Sequence, residues 1–333
     1  MNKFKDIQAY RVGWILPLVD FFIIYPILLV MRRKTTKSLE LRFLGDKRKI
    51  EKDIRHGAFF MSNHRDIVMD ATWLTFMLRT RYFIHPYFGI GNNLFGKWWI
   101  EHVVRFLRGF VVIRNGGFRN QRENAITLSQ YIRHLRKHHK SIWLAQREGR
   151  AKDGNDVTQP GVLKMLTIDS EDFFESIKEL NICPVSISYE YDPCDYLKAR
   201  EMQLKRDNPK WHKSRKDDLV SMKVGISGKK GRIVYRLTPS INHEIDQALA
   251  LHPELREMSH NEQIQFVCKL IDHHIHKAYE IYPRGKEFDD YIDSRLRLIH
   301  LSNKDEYYLR ERMYEMYNNP VENYNKAKND INI

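Results

Sequence analysis

The thirteen residues from Ala58 to Asp70, AFFMSNHRDIVMD, constrain this chain more than any other stretch. The apolar run Ala58-Phe59-Phe60-Met61 reads as a short buried strand. It stops at the polar, turn-prone Ser62-Asn63-His64-Arg65-Asp66 and restarts as an apolar helical pattern over Val68–Leu78. A strand that breaks into a polar turn and resumes as a helix sets its turn residues at the carboxyl edge of a sheet. Open α/β folds bind ligands at that edge. A histidine there with two aspartates close by is a candidate general base with an orienting carboxylate. Both Asp70 and Asp66 are within reach of His64 in sequence.

The surrounding pattern alternates strands with helices. An edge strand is predicted at 39–44, followed by a charged connection and then the organising strand. Further strands are predicted at 82–87, 110–113, 141–145 and 182–189. Helical periodicity is read over 96–107, 119–139, 162–168 and 172–180, and a polar loop over 146–160. Residues 220–226 and 232–237, joined across Gly228 to Gly231, read as a hairpin. Alternation of this kind implies an α/β fold whose mixed, mainly parallel sheet is covered by helices on both faces. Residues 243–333 are helical in pattern and rich in charge. The domain plan is thus an apolar segment over 1–37, an α/β domain over 38–242 and a helical extension over 243–333.

Trp14 to Met31 is the most apolar stretch and is about as long as a bilayer span, for which roughly 20 residues are needed. Pro17, Pro26 and Asp20 interrupt it, and basic residues flank both ends: Lys3, Lys5 and Arg11 before, Arg32, Arg33, Lys34 and Lys37 after. Two short helices lying in the membrane interface, with their basic flanks among the headgroups, fit this pattern better than a span. The net charge of +14 favours an anionic partner. No zinc finger, RNP-type strand or helix-turn-helix pattern accompanies it, so an anionic membrane surface is expected rather than nucleic acid. Three widely spaced cysteines, Cys183, Cys194 and Cys268, show neither a disulfide framework nor zinc-ligand spacing, which suits a reducing compartment. The histidine groups 134/138/139 and 273/274/276 read as helix faces, the first among Arg133, Arg136, Lys137 and Lys140, which would repel a metal cation. No metal is expected.

Four short blocks occur in order, each at a predicted strand end: Asn63-His64 with Asp70, Gly109-Phe-Val-Val-Ile-Arg114, Glu148-Gly149-Arg150, and Pro184-Val185-Ser186-Ile187. Together they resemble the four blocks of the phospholipid/glycerol acyltransferase superfamily, the group that includes lysophosphatidate and glycerol-3-phosphate acyltransferases. The resemblance covers about residues 57–191. Five residues separate His64 from Asp70 where the NHxxxxD signature has four, and the third block is one residue short of the EGTR-type turn. The resemblance implies an O-acyltransferase that moves a fatty acyl group from acyl-CoA or acyl carrier protein to a hydroxyl of a phosphorylated glycerol, 1-acyl-glycerol-3-phosphate first and glycerol-3-phosphate second. It implies a membrane-associated protein on the cytoplasmic face, with no cofactor beyond the thioester co-substrate.

By the same resemblance His64 is the base, with Asp70 or Asp66 as its carboxylate. Asn63, Arg114, Glu148, Gly149 and Arg150 line the acceptor, with Arg147 or Lys152 as alternatives to Arg150 in the shortened turn. An arginine at a strand end suits bidentate phosphate recognition, and a glycine in the turn lets backbone approach a ligand. There is no GxSxG elbow, and no cysteine sits beside a base, so direct attack without an acyl-enzyme is the simpler route.

Overall fold

The computed structural model describes residues 3–95, 98–113 and 118–330. Its centre is a seven-stranded sheet in the order β1-β7-β6-β2-β5-β3-β4. The strands are β1 (Thr36–Phe43), β2 (Phe59–Ser62), β3 (Tyr87–Gly91), β4 (Gly109–Val112), β5 (Ile142–Ala145), β6 (Ile182–Tyr189) and β7 (Gly231–Leu237). All neighbouring pairs are parallel except β6 with β7. The fold is therefore α/β with a mixed, mostly parallel sheet.

Thirteen helices are described: α1 (Ile15–Thr35), α2 (Lys47–Arg55), α3 (Met69–Tyr82), α4 (Trp98–Phe106), α5 (Phe118–Lys137), α6 (Pro160–Leu166), α7 (Phe173–Leu180), α8 (Asp195–Asp207), α9 (Arg215–Ser227), α10 (Asn242–Leu251), α11 (His260–Lys277), α12 (Glu287–Leu296) and α13 (Glu306–Asn329). Polar caps set several of their starts. Asp46 accepts the Arg48 backbone N–H, Asp172 that of Glu175, and Ser214 and Ser259 form capping boxes with Asp217 and Glu262.

The two-residue period of the strands divides the core between the sheet's faces. Phe59 and Met61 of β2 join Ile142, Leu144 and Ile182 against α5, α6, α7 and α11. Phe60 faces the other way with Trp143, Cys183 and Val185, against α1, α2 and α3. Each fully buried Phe, Met, Ile or Val among these contributes about 1.5–3 kcal/mol. The part of the chain after residue 242 serves this same core, since Ile264, Val267, Ile271 and Ile275 of α11 lie under the sheet. A third cluster gathers Ala199 of α8, Phe288 and Ile292 of α12, and Leu309, Met313 and Tyr317 of α13. The chain enters α8 directly from the end of β6, so this layer covers the carboxyl edge.

Three sequence expectations are corrected. The expected hairpin strand at 220–226 is part of α9, started by the Ser214–Asp217 capping box, and β7 pairs with β6 and β1 instead. The strand expected at 82–87 begins only at Tyr87. α3 runs through Tyr82 and stops at Phe83, which takes the left-handed conformation at φ 59°. The N-terminal apolar stretch forms one continuous helix rather than two, with a π-helical turn at Asp20–Ile24 absorbing the interruption.

α1 lies lengthwise on the domain. Asp20 faces Arg79 at 3.6 Å and His85 at 3.8 Å. The Tyr25 ring meets Phe76 edge-on, and the Thr35 carbonyl accepts the Lys230 backbone N–H at 2.7 Å. Arg79 is near the end of α3 and His85 just before β3, on the amino side of the sheet; Thr35 leads into β1 on the carboxyl side. The helix thus runs antiparallel to α3 over the height of the domain. Its outer face leaves Trp14, Phe21, Phe22, Ile27 and Val30 exposed. The exposed Arg32, Arg33 and Lys34 end it at the carboxyl edge.

Candidate active site

β2 sits mid-sheet between β6 and β5. Its carboxyl end releases the loop 63–68, and α3 begins directly afterwards. Two features fix that loop. Asn63 is fully buried: its Oδ1 accepts the Ile187 N–H at 2.8 Å, and its Nδ2 donates to the Ile187 carbonyl at 3.0 Å and to Asp156 Oδ2 at 3.3 Å. Its amide is therefore committed to β6 and the 146–160 loop, which makes Asn63 a support of the turn rather than a ligand contact. Asp66 Oδ1 accepts the N–H groups of Val68 and Met69, both at 2.9 Å, and so starts α3.

His64 projects from this turn with 14% of its side chain exposed. Its Nδ1 donates to Asp70 Oδ2 at 2.9 Å. The same oxygen accepts the N–H of Arg65 at 2.7 Å and of Asp66 at 2.9 Å, while Oδ1 accepts the Tyr189 hydroxyl at 3.0 Å. Three other donors on this fully buried carboxylate hold it as an acceptor, which places an imidazole proton on Nδ1. Nε2 has no hydrogen-bond partner among the described residues and, in the neutral ring, carries the lone pair. The Trp143 ring lies edge-on to the imidazole with centroids 6.0 Å apart, and its indole N–H is held by Ser62 Oγ at 3.0 Å. Burial, with the neighbouring Tyr235 and Asp70, pushes the Tyr189 hydroxyl well above its ordinary range and keeps it a donor.

The two aspartates are thus told apart. Asp70 orients His64. Asp66 caps α3 and points its other oxygen, buried and unpartnered among the described residues, toward α9, where a Cβ on Gly225 would come within 2.2 Å of it. Burial first, and then the charge of Asp70, raises the Asp66 carboxyl above the usual range. The six-residue step from His64 to Asp70 is accommodated because Asp70 falls in the first turn of α3, under the loop it accepts from.

The neighbouring turn leaves β5 one strand spacing away, about 4.8 Å. Ser62 and Ala145 are register partners, and the Gln146 N–H donates to the Ser62 carbonyl at 2.8 Å. Glu148 and Gly149 are exposed at the tip. The Glu148 N–H donates to Gln159 Oε1 at 2.9 Å. Gly149 adopts φ +69°, and a Cβ there would meet no atom within 4 Å, so conformation rather than space calls for glycine. Arg150 turns inward. The charges of Asp192 and Asp66 act on it, and its Nη1 is buried without a hydrogen-bond partner among the described residues.

Arg150 also lines a cavity of about 350 Å³ with Lys198, Lys213, Trp211, Ser221 and His300. His64 does not line that cavity. The link is the loop after it: Lys198 Nζ donates to the Arg65 carbonyl at 3.4 Å and to Asp192 Oδ2 at 2.5 Å. Although burial opposes it, Lys198 holds the Asp192 carboxyl below its usual range. Pro184 occupies β6, as expected, and Arg114 lies outside the described residues; β4, which precedes it, shares the carboxyl edge at three strand spacings, about 14 Å, from β2.

Several supporting residues carry no local signal in the sequence. Tyr189 reaches the site from 119 residues away, and Lys230 interacts with Asp66 through charge. Lys230 is fully buried, and its ammonium is lowered chiefly by that burial while Asp66 and its neighbours work against the loss of charge. Only the period of β6 and the turn before β7 could have pointed to them. No protein-family model matches this chain, and comparison with curated proteins finds no match.

Proposed function

We propose that this protein is a membrane-associated O-acyltransferase of the phospholipid/glycerol acyltransferase superfamily, acting on a phosphorylated glycerol with 1-acyl-glycerol-3-phosphate as first acceptor. The observation that carries the reading is the His64–Asp70 pair at the carboxyl end of the central strand, with Nε2 unengaged. An imidazole so held takes a proton from a hydroxyl as that oxygen attacks a thioester carbonyl. The new C–O bond forms, the C–S bond breaks, and the proton passes from Nε2 to the departing thiolate of acyl-CoA or acyl carrier protein. Asp70 stabilises the imidazolium between these steps. Arg114 supplies a guanidinium group for the acceptor phosphate and Glu148 an acceptor for a glycerol hydroxyl, while Arg150, turned inward toward Asp192 and Asp66, supports the turn that carries Glu148.

The membrane reading rests on α1. Among the described residues it is the one helix long and apolar enough to cross a bilayer, with mean hydropathy 2.0. Its inner side is engaged with α3 along the domain, and its outer side presents Trp14, Phe21, Phe22 and Ile27. A helix fixed in this way meets a bilayer through its outer face, lying in the interface. The basic Arg32-Arg33-Lys34 end then brings anionic headgroups to the carboxyl edge where His64 stands. The three buried, unpaired cysteines accord with the reducing, cytoplasmic side.

The test is acyl transfer by the purified full chain on anionic vesicles, with labelled acyl-CoA and acyl carrier protein as separate donors. Lysophosphatidate and glycerol-3-phosphate are offered as acceptors. Label in phosphatidate is the expected product, and label in lysophosphatidate would assign the second acceptor instead. No transfer to either by wild-type protein, with hydrolysis also absent, would make this chain a catalytically idle membrane-binding relative.

A further inference from the structure

Asp156 lies in the loop between β5 and α6, 92 residues beyond His64, and is fully buried. Its Oδ2 accepts the Arg65 guanidinium at 2.9 Å and the Asn63 amide at 3.3 Å. The two residues that flank His64 in sequence are therefore tied to one carboxylate oxygen. That oxygen also accepts the Tyr279 hydroxyl at 2.9 Å, and the Asp156 carbonyl pairs with His276 Nε2 at 2.5 Å. Both partners stand at the end of α11 or just past it, on an element whose other residues lie under the sheet. Arg65 itself rests over the Tyr279 ring, 5.9 Å from its centroid. The other charged groups acting on this cluster are Asp272 of α11, Asp192 beyond β6, Asp70, and Lys326 of α13, which acts on His276.

We propose that Asp156 is a positioning residue for His64: it clamps both neighbours of the imidazole and anchors them to α11, so that the C-terminal part of the chain sets the geometry of the base. The clamp bears on the backbone rather than on the ring. Asn63 is gripped from both sides, by Ile187 of β6 and by Asp156. Arg65 offers its N–H to Asp70 while its guanidinium is held by Asp156. With both ends of a three-residue segment fixed, the imidazole between them is presented to Asp70 Oδ2 with little freedom to turn away. Asp156 touches no reacting atom; it acts only through residues 63 and 65.

The proposal rests on His64 being the base only for its kinetic consequence, so its test has a readout that does not depend on activity. The downfield proton resonance of the His64 Nδ1–H, assigned by its absence in His64→Gln, reports the bond to Asp70. In Asp156→Asn of the full chain this resonance should shift upfield or broaden away. Turnover of a transferring enzyme should fall roughly 10- to 100-fold while acceptor KM changes less than about 3-fold, as expected when a reacting group is displaced. Tyr279→Phe removes one hydroxyl from Asp156, leaves the buried ion pair intact, and should move the resonance in the same direction by less. It decides the matter if Asp156→Asn does not fold. A shifted resonance in Asp156→Asn, where the wild-type chain itself transfers no acyl group, upholds the clamp and refutes the catalytic reading. A resonance unmoved in Asp156→Asn, or in Tyr279→Phe where that is the variant that folds, overturns the clamp whatever the activity.

Discussion

Asp70→Asn separates orientation from folding at the heart of the site. The carboxylate takes four donors: the His64 ring, two backbone N–H groups and the Tyr189 hydroxyl. An asparagine whose oxygen occupies the Oδ2 position still accepts the first three, and the Tyr189 hydroxyl can rotate to accept from its amide. The pattern survives while the charge assistance disappears. Charge-assisted bonds are worth ~1.5–3 kcal/mol and neutral ones ~0.5–1.5, so at about 1–1.5 kcal/mol for each of four bonds the fold should lose about 4–6 kcal/mol, a large share of the ~5–15 kcal/mol of a typical domain. Catalysis loses as well, because nothing then stabilises the imidazolium. The expected fall in kcat is roughly 10²- to 10⁴-fold, or ~3–5 kcal/mol. The assay is transfer from labelled acyl-CoA to lysophosphatidate on vesicles, with circular dichroism and thermal melting as the fold control. Tyr189→Phe, which removes one of the four bonds, should cost only a few-fold by the same logic. Asp70→Asn retaining kcat within about 3-fold, under ~0.7 kcal/mol, would refute the assignment of the carboxylate.

Arg114→Ala should raise the apparent KM for the phosphorylated acceptor far more than it lowers kcat, and an unchanged KM would remove Arg114 from the phosphate site. Phe21→Ser with Phe22→Ser, two exposed rings on α1, should weaken flotation with anionic vesicles by about 2–4 kcal/mol at ~1–2 per partly inserted ring; intact flotation would detach membrane binding from that face. Asp272 is raised to about 7, first by burial and against its bonds to Thr158. Its folded-state value exceeds the unfolded one near 3.9, so the unfolded chain releases the proton first and this group's contribution to stability is lost as pH rises from about 4 to about 7. Asp272→Asn, which still accepts from Thr158, should therefore melt progressively higher relative to wild type between pH 4.5 and pH 8, and a flat difference would show that the carboxyl titrates normally.

Residues 59–62 and 182–189 were legible as strands because they are short apolar runs bounded by turns, and α5 because its apolar stripe repeats at helical spacing over many turns. β3 was hidden by its composition. Tyr-Phe-Gly-Ile-Gly carries two glycines, and at Gly89 a Cβ would lie 2.7 Å from Leu144, so close packing replaced the β-branched residues that mark a strand. The 220–226 part of α9 reads as a strand because Val220, Met222, Val224 and Ile226 alternate, and the capping box that starts the helix lies six residues upstream of that alternation. At the site, His64 stood out through its position after a buried run. The choice between Asp66 and Asp70 could not be read from spacing, since both lie within one turn of α3 and only the direction of each side chain distinguishes a cap from an orienting carboxylate. Tyr189, Asp156 and Tyr279 meet the loop or its aspartate across the sheet or from the end of α11, and no local pattern marks a contact that tertiary packing makes.

The most direct measurement is acyl transfer by His64→Ala, compared with wild type at equal protein and vesicle concentration after matched melting curves. The account predicts a folded, vesicle-bound protein whose turnover has fallen by at least ~10³-fold, the scale expected on removing a general base and its acid function together. Turnover equal to that of wild type would contradict it.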